Sequence, residues 1–242
     1  MVVSAAVLFV CFISPSYSAD AGSKPLSFAT MDLEPYGFVD GMGNRPGLVR
    51  EIHAAIAAKA GFEYSDMVMP LKRMLKQILR GQSDCGTFIR TEWNKSNYDT
   101  VAEIFSEFES VVVTRGDLPI TRLEDLHGRL LALPRGSYVG YPVSEDPKIQ
   151  RYFTNGYRQS AVIMKAGRVD AIAGSAVSLF YNLRRVGMTR KEFGGVLVFD
   201  RHPLWLHCSK GKLPAKQQER LRAAAGSLQK DGVFDRIVQS YR

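Results

Sequence analysis

The sequence predicts an α/β protein made of two similar units. Apolar, β-favouring runs alternate with amphipathic helical runs from residue 26 to residue 90. Alternation of this kind builds parallel sheets with crossover helices. A short local pattern also occurs twice. LRGQSDCGTFIRT (79–91) and KAGRVDAIAGSAVS (165–178) each pass from a basic helical tail through a Gly, two residues and an Asp into small and apolar residues. Gly81 leads to Asp84, and Gly167 leads to Asp170. Finally, 242 residues with 45% hydrophobic content suffice for one domain or two small ones. Any α/β protein repeats helix, Gly and strand, so the echo supports two units without requiring them.

The elements follow in order. LSFATMD (26–32) reads as a strand, and the Gly- and Pro-rich EPYGFVDGMGNRPG as a loop. LVREIHAAIAAKAG places Leu48, Ile52, Ala55, Ile56 and Ala60 on one helical face and stops at Gly61. FEYSDMVMP is a second strand and LKRMLKQILRG a second helix, stopped by Gly81. DCGTFIR is a third strand. An irregular stretch then leads to the strand ESVVVTRGD. TRLEDLHG is a short helix with Thr121 and Glu124 at capping-box spacing, and RLLALP a strand entering the loop GSYVGY. A helix is expected around Lys148–Phe153 and another near 160–166. VDAIAG is a strand, SAVSLFYNLRRVG a helix, and GGVLVFD and PLWLHCSKG two further strands. The chain closes with two helices broken at Asp231-Gly232.

The N-terminus predicts the compartment. MVVSAAVLFVCFIS carries no charge and is followed by Pro15 and the small-residue stretch around Ser16–Ala19. An apolar core of roughly 7–15 residues before small residues is a secretory signal. It is placed at 1–21, with cleavage after Ser18 or Ala21. The run is shorter than the roughly 20 residues of a membrane span. Val10 is too bulky for Cys11 to read as a lipid-attachment site. In an exported chain the remaining Cys85 and Cys208 either close one disulfide or stay as two buried thiols.

The net charge is +8. Lys and Arg are scattered, and no RNP, zinc-finger or basic-helix motif occurs, so nucleic acid is not the expected partner. A basic surface of this kind meets anionic solutes or an anionic membrane, or is simply solvated. His53, His127, His202 and His207 lack metal-ligand spacing and default to surface or strand positions. No metal or cofactor is expected.

Taken in order, LSFATMDLEPYGFVDG, GLVREIHAAIAAKAGFEY, MPLKRMLKQILRGQSDCGTF, VVVTRGD, ITRLEDLHGRLLALPRGSY, KAGRVDAIAG and LQKDGVFDRIVQSYR resemble the exported solute-binding proteins of ABC importers, family 3, the polar amino-acid type. The resemblance covers nearly all of the chain after the signal. It implies a type II periplasmic binding protein fold, with two lobes, two crossover hinge segments and a ligand cleft between the lobes. Lobe one would be 24–112 plus 203–242 and lobe two 113–202, with crossovers near Val111–Gly116 and Phe199–Leu204. Ligands of open α/β sheets bind beyond the carboxyl ends of strands, and binding would close a hinge.

The resemblance also implies site residues. The backbone N–H groups of Gly136, Ser137 and Tyr138, with the Ser137 hydroxyl, match a stretch that receives a ligand carboxylate. Arg90 could take that carboxylate as a fork, because the Arg that relatives carry in a Thr-x-Glu-Arg context is missing from TEWNK. Thr87 and Phe88 would form the wall. Tyr36 and Phe38 match loop aromatics that cover the ligand. Leu71 stands where relatives often have another aromatic, and Arg73 lies nearby. Trp93 and Trp205 read as packing residues. Ser175 stands where amino-acid binders carry the Asp that accepts the ligand ammonium, which argues against an ordinary α-amino acid, because a buried ammonium needs a counter-charge.

The function expected is capture of a small polar or anionic, amino-acid-like solute by a monomer and its delivery to an ABC transporter permease in the periplasm. Two alternatives remain. An exported enzyme on the same fold, such as a cyclohexadienyl or arogenate dehydratase, would need a cleft acid. Asp32, Glu34 and Glu92 are the candidates. A ligand-sensing partner of a membrane receptor would need a second chain.

Overall fold

The structure is a computed structural model that describes residues 24–40, 42–44 and 46–241. The proposed signal at 1–21 lies outside the described residues. Eight strands form one mixed sheet in the order β2-β1-β3-β8-β4-β7-β5-β6. They are β1 (Leu26–Met31), β2 (Tyr64–Met69), β3 (Cys85–Ile89), β4 (Tyr98–Arg115), β5 (Leu130–Pro134), β6 (Gln150–Thr154), β7 (Ala171–Ser175) and β8 (Phe193–Ser209). The helices are α1 (Leu48–Ala60), α2 (Leu71–Leu79), α3 (Glu92–Asn97), α4 (Pro142–Glu145), α5 (Tyr157–Lys165), α6 (Ala176–Arg185), α7 (Ala215–Lys230) and α8 (Val233–Ser240).

The expected alternation forms two parallel groups, β2-β1-β3 and β6-β5-β7. Between them run the two long strands β4 and β8, antiparallel to each other along their whole length. Each long strand serves both groups. β8 pairs with β3 at Leu204–Cys208, and β4 pairs with β7 at Ser110–Thr114. The pairing of β4 with β8 slips repeatedly between Thr100 and Val111, where the strands pass from one group to the other. Irregular pairing of this kind bends and twists a ribbon locally.

The core divides in the same way. One large cluster joins Phe28, Leu48, Ile52, Ile56, Ile104, Leu206, Leu221 and Phe234. Two others gather around Val111, Ile172 and Leu179, and around Val112, Leu131 and Leu133.

The Gly-x-x-Asp echo has one structural cause. Gly81 and Gly167 both take left-handed backbone angles, φ 72° and φ 70°, that only Gly adopts freely. The Asp that follows holds the start of the neighbouring parallel strand. The Asp84 carboxylate accepts from the Ser27 N–H at 2.8 Å, and the Asp170 carboxylate accepts from the Leu130 N–H at 2.9 Å. Each Asp also donates its own N–H to that residue's carbonyl, at 2.8 and 2.9 Å.

Four local expectations are corrected. Lys148–Phe153 does not hold a helix. Gln150–Thr154 is the edge strand β6, in parallel register with Leu130–Pro134, because Tyr152, Phe153 and Thr154 favour a pleated surface more than a helix. The irregular stretch after β3 contains α3 and the first half of β4. GGVLVFD and PLWLHCSKG are not separate strands but the single strand β8. Pro203 is tolerated inside it because it falls at the crossing, where the ladder to β4 slips between Phe105↔Leu204 and Phe108↔His202. The turn at 121–126 is also capped differently. Asp125, not Glu124, accepts from the Thr121 N–H at 2.8 Å.

Cys85 and Cys208 face each other in the β3–β8 register and are joined by a disulfide. Of the two readings left open by the sequence, the structure has the bridge.

Candidate functional site

A cavity of about 510 Å³ lies between the two strand groups, within the range of small-molecule sites. The strand ends and their following loops build it. After β1, the chain folds back through Leu33 and Tyr36 against the start of α1. The Leu48 and Val49 N–H groups, left over at that helix end, bond to the carbonyls of Pro35 and Tyr36 at 2.9 and 3.0 Å. Gly47 permits this approach, since a Cβ there would stand 2.3 Å from the Tyr36 carbonyl oxygen. Tyr36 is thereby aimed across the cleft.

On the opposite side β7 ends at Gly174-Ser175. A Cβ at Gly174 would meet the Tyr157 ring at 2.1 Å. The Gly is therefore what lets Tyr157 lie against the strand end. The Tyr36 and Ser175 hydroxyls are hydrogen-bonded to each other, joining the two groups. Around this bond the Glu34 carboxylate pairs with Arg185 at 3.2 Å, and Phe38 packs on Tyr181 with ring centres 6.2 Å apart.

Among the expected site residues, Tyr36, Thr87, Phe88, Gly136, Ser137, Tyr138 and Ser175 all line the cavity. Phe38, Arg73 and Arg90 do not. Phe38 is buried on Tyr181, beside the cavity rather than in it. Arg73 is exposed on the outer face of α2 among Lys72, Lys76 and Arg80. Arg90 turns its guanidinium onto Trp205, 5.0 Å from the ring centre. Arg90 follows the last residue of β3, and its neighbours Phe88, Ile89 and Thr91 line the cavity while its own side chain does not. The expected anion cradle at 136–138 is partly used up, since the Ser137 N–H already donates to the Pro134 carbonyl at 3.0 Å.

The cavity wall also includes residues that the sequence did not point to. Phe108, Tyr141 and Tyr157 add rings, and Met31, Leu33, Leu75 and Leu204 add aliphatic surface. None of the described lining residues is Asp, Glu, Lys or Arg. Asp32 and Glu92 are exposed and Glu34 is engaged with Arg185, so none of the three candidate acids lines the cavity. Burial raises the phenol pKa of Tyr36, Tyr138 and Tyr157, so all three stay neutral.

Most of the wall's polar side chains are paired within the protein. Tyr138 donates to the Ser110 hydroxyl at 3.1 Å. It does so from a left-handed backbone, φ 56°, which is rare for a residue with a ring. The Tyr141 hydroxyl lies 2.7 Å from His202 Nε2, and that nitrogen lies 2.5 Å from Asp200. Asn94 donates to the Ile89 carbonyl at 2.7 Å.

Thr87 is held from behind by a network that sequence reasoning missed. His53, expected at a surface or strand position, is fully buried on α1. Its Nε2 lies 2.9 Å from the Thr87 hydroxyl and its Nδ1 2.8 Å from Asp66, which also accepts from Thr30 at 2.9 Å. Although burial opposes it, the Asp66 carboxyl stays below its usual range. Its contacts with His53 and Thr30 and the nearby Arg50 stabilise the charge. The helical period alone puts His53 one position after the buried Ile52, but nothing in the sequence announces its partners on β2 and β3.

Residues 26–242 match the bacterial extracellular solute-binding proteins, family 3. The chain belongs to this family. It is 23% identical over 243 residues to a probable amino-acid-binding protein, YxeM, of Bacillus subtilis, covering 98% of this chain and 90% of that protein. In fold it is similar to an ancestral cationic amino acid solute-binding protein, with a TM-score of 0.75 and 17% identity over 90% of this chain and 95% of the other. It is similar too to a histidine kinase sensor domain that itself resembles periplasmic binding proteins, with a TM-score of 0.71 and 20% identity over 90% and 95% of the two chains. The fold is the type II periplasmic binding protein fold expected from the sequence.

Proposed function

We propose that this family 3 protein is an exported receptor that captures a small solute between two lobes and presents the closed form to an ABC transporter permease. It works as a monomer in the periplasm, after removal of a signal at 1–21. Lobe one is 24–112 plus 203–242 and lobe two 113–202 on the sequence reading, with the β4 boundary moved to before Ser110, because Ser110–Thr114 pair with β7 and Val111 and Val112 pack in the second group. The observation that carries the reading is the 510 Å³ cavity with walls from both lobes, spanned by the Tyr36–Ser175 bond. β4 and β8 are the only described strands that run through both groups, so the lobes can rotate about them as a hinge. The Cys85–Cys208 bridge suits an oxidising compartment outside the cytoplasm. Among the described residues, no helix is long and apolar enough to cross a membrane.

A thermal-shift screen of the mature protein tests the reading. The panel holds amino acids, dicarboxylates, amines, opines and uncharged ring compounds. A receptor gives saturable stabilisation by one class, compaction in solution scattering, and an unchanged ligand on recovery. Product formation from prephenate or arogenate transfers the protein to the enzyme reading.

A further inference from the structure

We propose that the cleft takes an uncharged, largely apolar, ring-bearing solute rather than an amino acid or another ion. The inference rests on the receptor reading above and narrows its ligand.

The first argument is charge. The described lining residues hold no carboxylate, ammonium or guanidinium. Three charged groups close to the wall along the chain do not line it. Glu34 bonds to Arg185, Arg90 covers Trp205, and Asp200 lies beside His202. A zwitterion in this space would bury an ammonium and a carboxylate with no counter-charge for either, which costs far more than the contacts return.

The second argument is hydrogen bonding. Tyr36 with Ser175, Tyr138 with Ser110, Thr87 with His53 and Tyr141 with His202 satisfy one another. A ligand with several polar groups would have to break these pairs or leave groups of its own unmet, since the Ser137 hydroxyl can serve only one of them. A ring needs neither, and the wall offers rings for it to stack against.

The third argument is the rim. Leu71 and Ile89 on one lobe and Val139 on the other are large apolar side chains left 46%, 39% and 75% exposed, and all three border the cavity. Apolar surface on both lips of a cleft is covered when an apolar molecule is enclosed between them. Aromatic walls can also hold a quaternary ammonium. With a net charge of +8 and no lining carboxylate, this protein is poorly suited to a cation.

The test uses matched probes on the mature, disulfide-intact protein. Indole is compared with L-tryptophan, 4-methylphenol with L-tyrosine, and choline serves as the cationic probe, all by calorimetry at equal concentration. Each uncharged ring is expected to bind at least about tenfold tighter than the amino acid carrying the same ring. Ser175→Asp, which places a carboxylate in the wall, should abolish ring binding. Leu71→Glu, at an exposed position that tolerates a charge, should weaken it by about tenfold or more without loss of fold. The proposal is overturned, with the receptor reading intact, if either amino acid or choline binds as tightly as the rings. It is equally overturned if Leu71→Glu leaves ring affinity unchanged. If no probe binds, the ring proposal is overturned, and the receptor reading is decided separately by the wider thermal-shift panel.

Discussion

Tyr36 and Ser175 stand 139 residues apart in the chain and hydrogen-bond hydroxyl to hydroxyl across the cleft. One comes from the loop after β1 and the other from the end of β7. Their bond, together with Glu34–Arg185, holds this side of the two lobes together. A net contribution of about 1 kcal/mol is typical for such a bond, and a partner left unmet costs about 1–3 kcal/mol.

Tyr36→Phe should therefore favour the open form. A larger radius of gyration and a several-fold loss of ligand affinity are expected. Ser175→Ala should act in the same direction. The double variant should be milder than the sum of the two, because no hydroxyl is then stranded. Strict additivity would show that the two hydroxyls do not act as a pair.

The bridge between Cys85 and Cys208 closes a separation of 123 residues. Replacing both with Ser should lower unfolding stability by about 2–5 kcal/mol. Urea unfolding with and without reductant gives the same comparison for the unaltered chain. If reductant leaves the midpoint in place, the thiols are not bonded.

His207 is fully buried, and its ring stacks on Phe88 with centres 4.3 Å apart. Burial, with the Arg90 guanidinium adding to it, pushes the imidazole down to about 4 from its ordinary 6.5. Between those values the unfolded chain takes up a proton that the folded protein refuses. Its contribution is complete above pH 6.5 and is lost as pH falls towards 4. His207→Leu should lose about 3 kcal/mol less between pH 7 and pH 4 than the unaltered protein. Parallel pH profiles for the two would rule this out.

Asp84→Ala and Asp170→Ala should destabilise by similar amounts, about 1–3 kcal/mol each. Both remove a buried or half-buried acceptor from a strand-start N–H. Because the two sites belong to separate lobes, their effects should add. Marked coupling in denaturant melts would contradict the independence of the two groups.

The sequence by itself determined much of the architecture. Strand and helix periods, Gly stops and the two Gly-x-x-Asp turns are set by local backbone and patterning rules, so they could be read residue by residue. The departures at Ser175 and TEWNK were equally legible, because a missing charge is visible without coordinates. Tertiary structure alone decided which side chains face the cleft. Arg90 looked like a ligand clamp, yet its guanidinium lies on Trp205. His53 read as a surface or strand residue, yet Asp66 and Thr87 enclose it. The mutual pairing of the wall hydroxyls joins residues far apart in sequence, such as Tyr36 with Ser175 and Ser110 with Tyr138. Which hydroxyl meets which depends on how the lobes are set against each other. No local period carries that information, and it is this pairing that leaves the wall with few free polar groups.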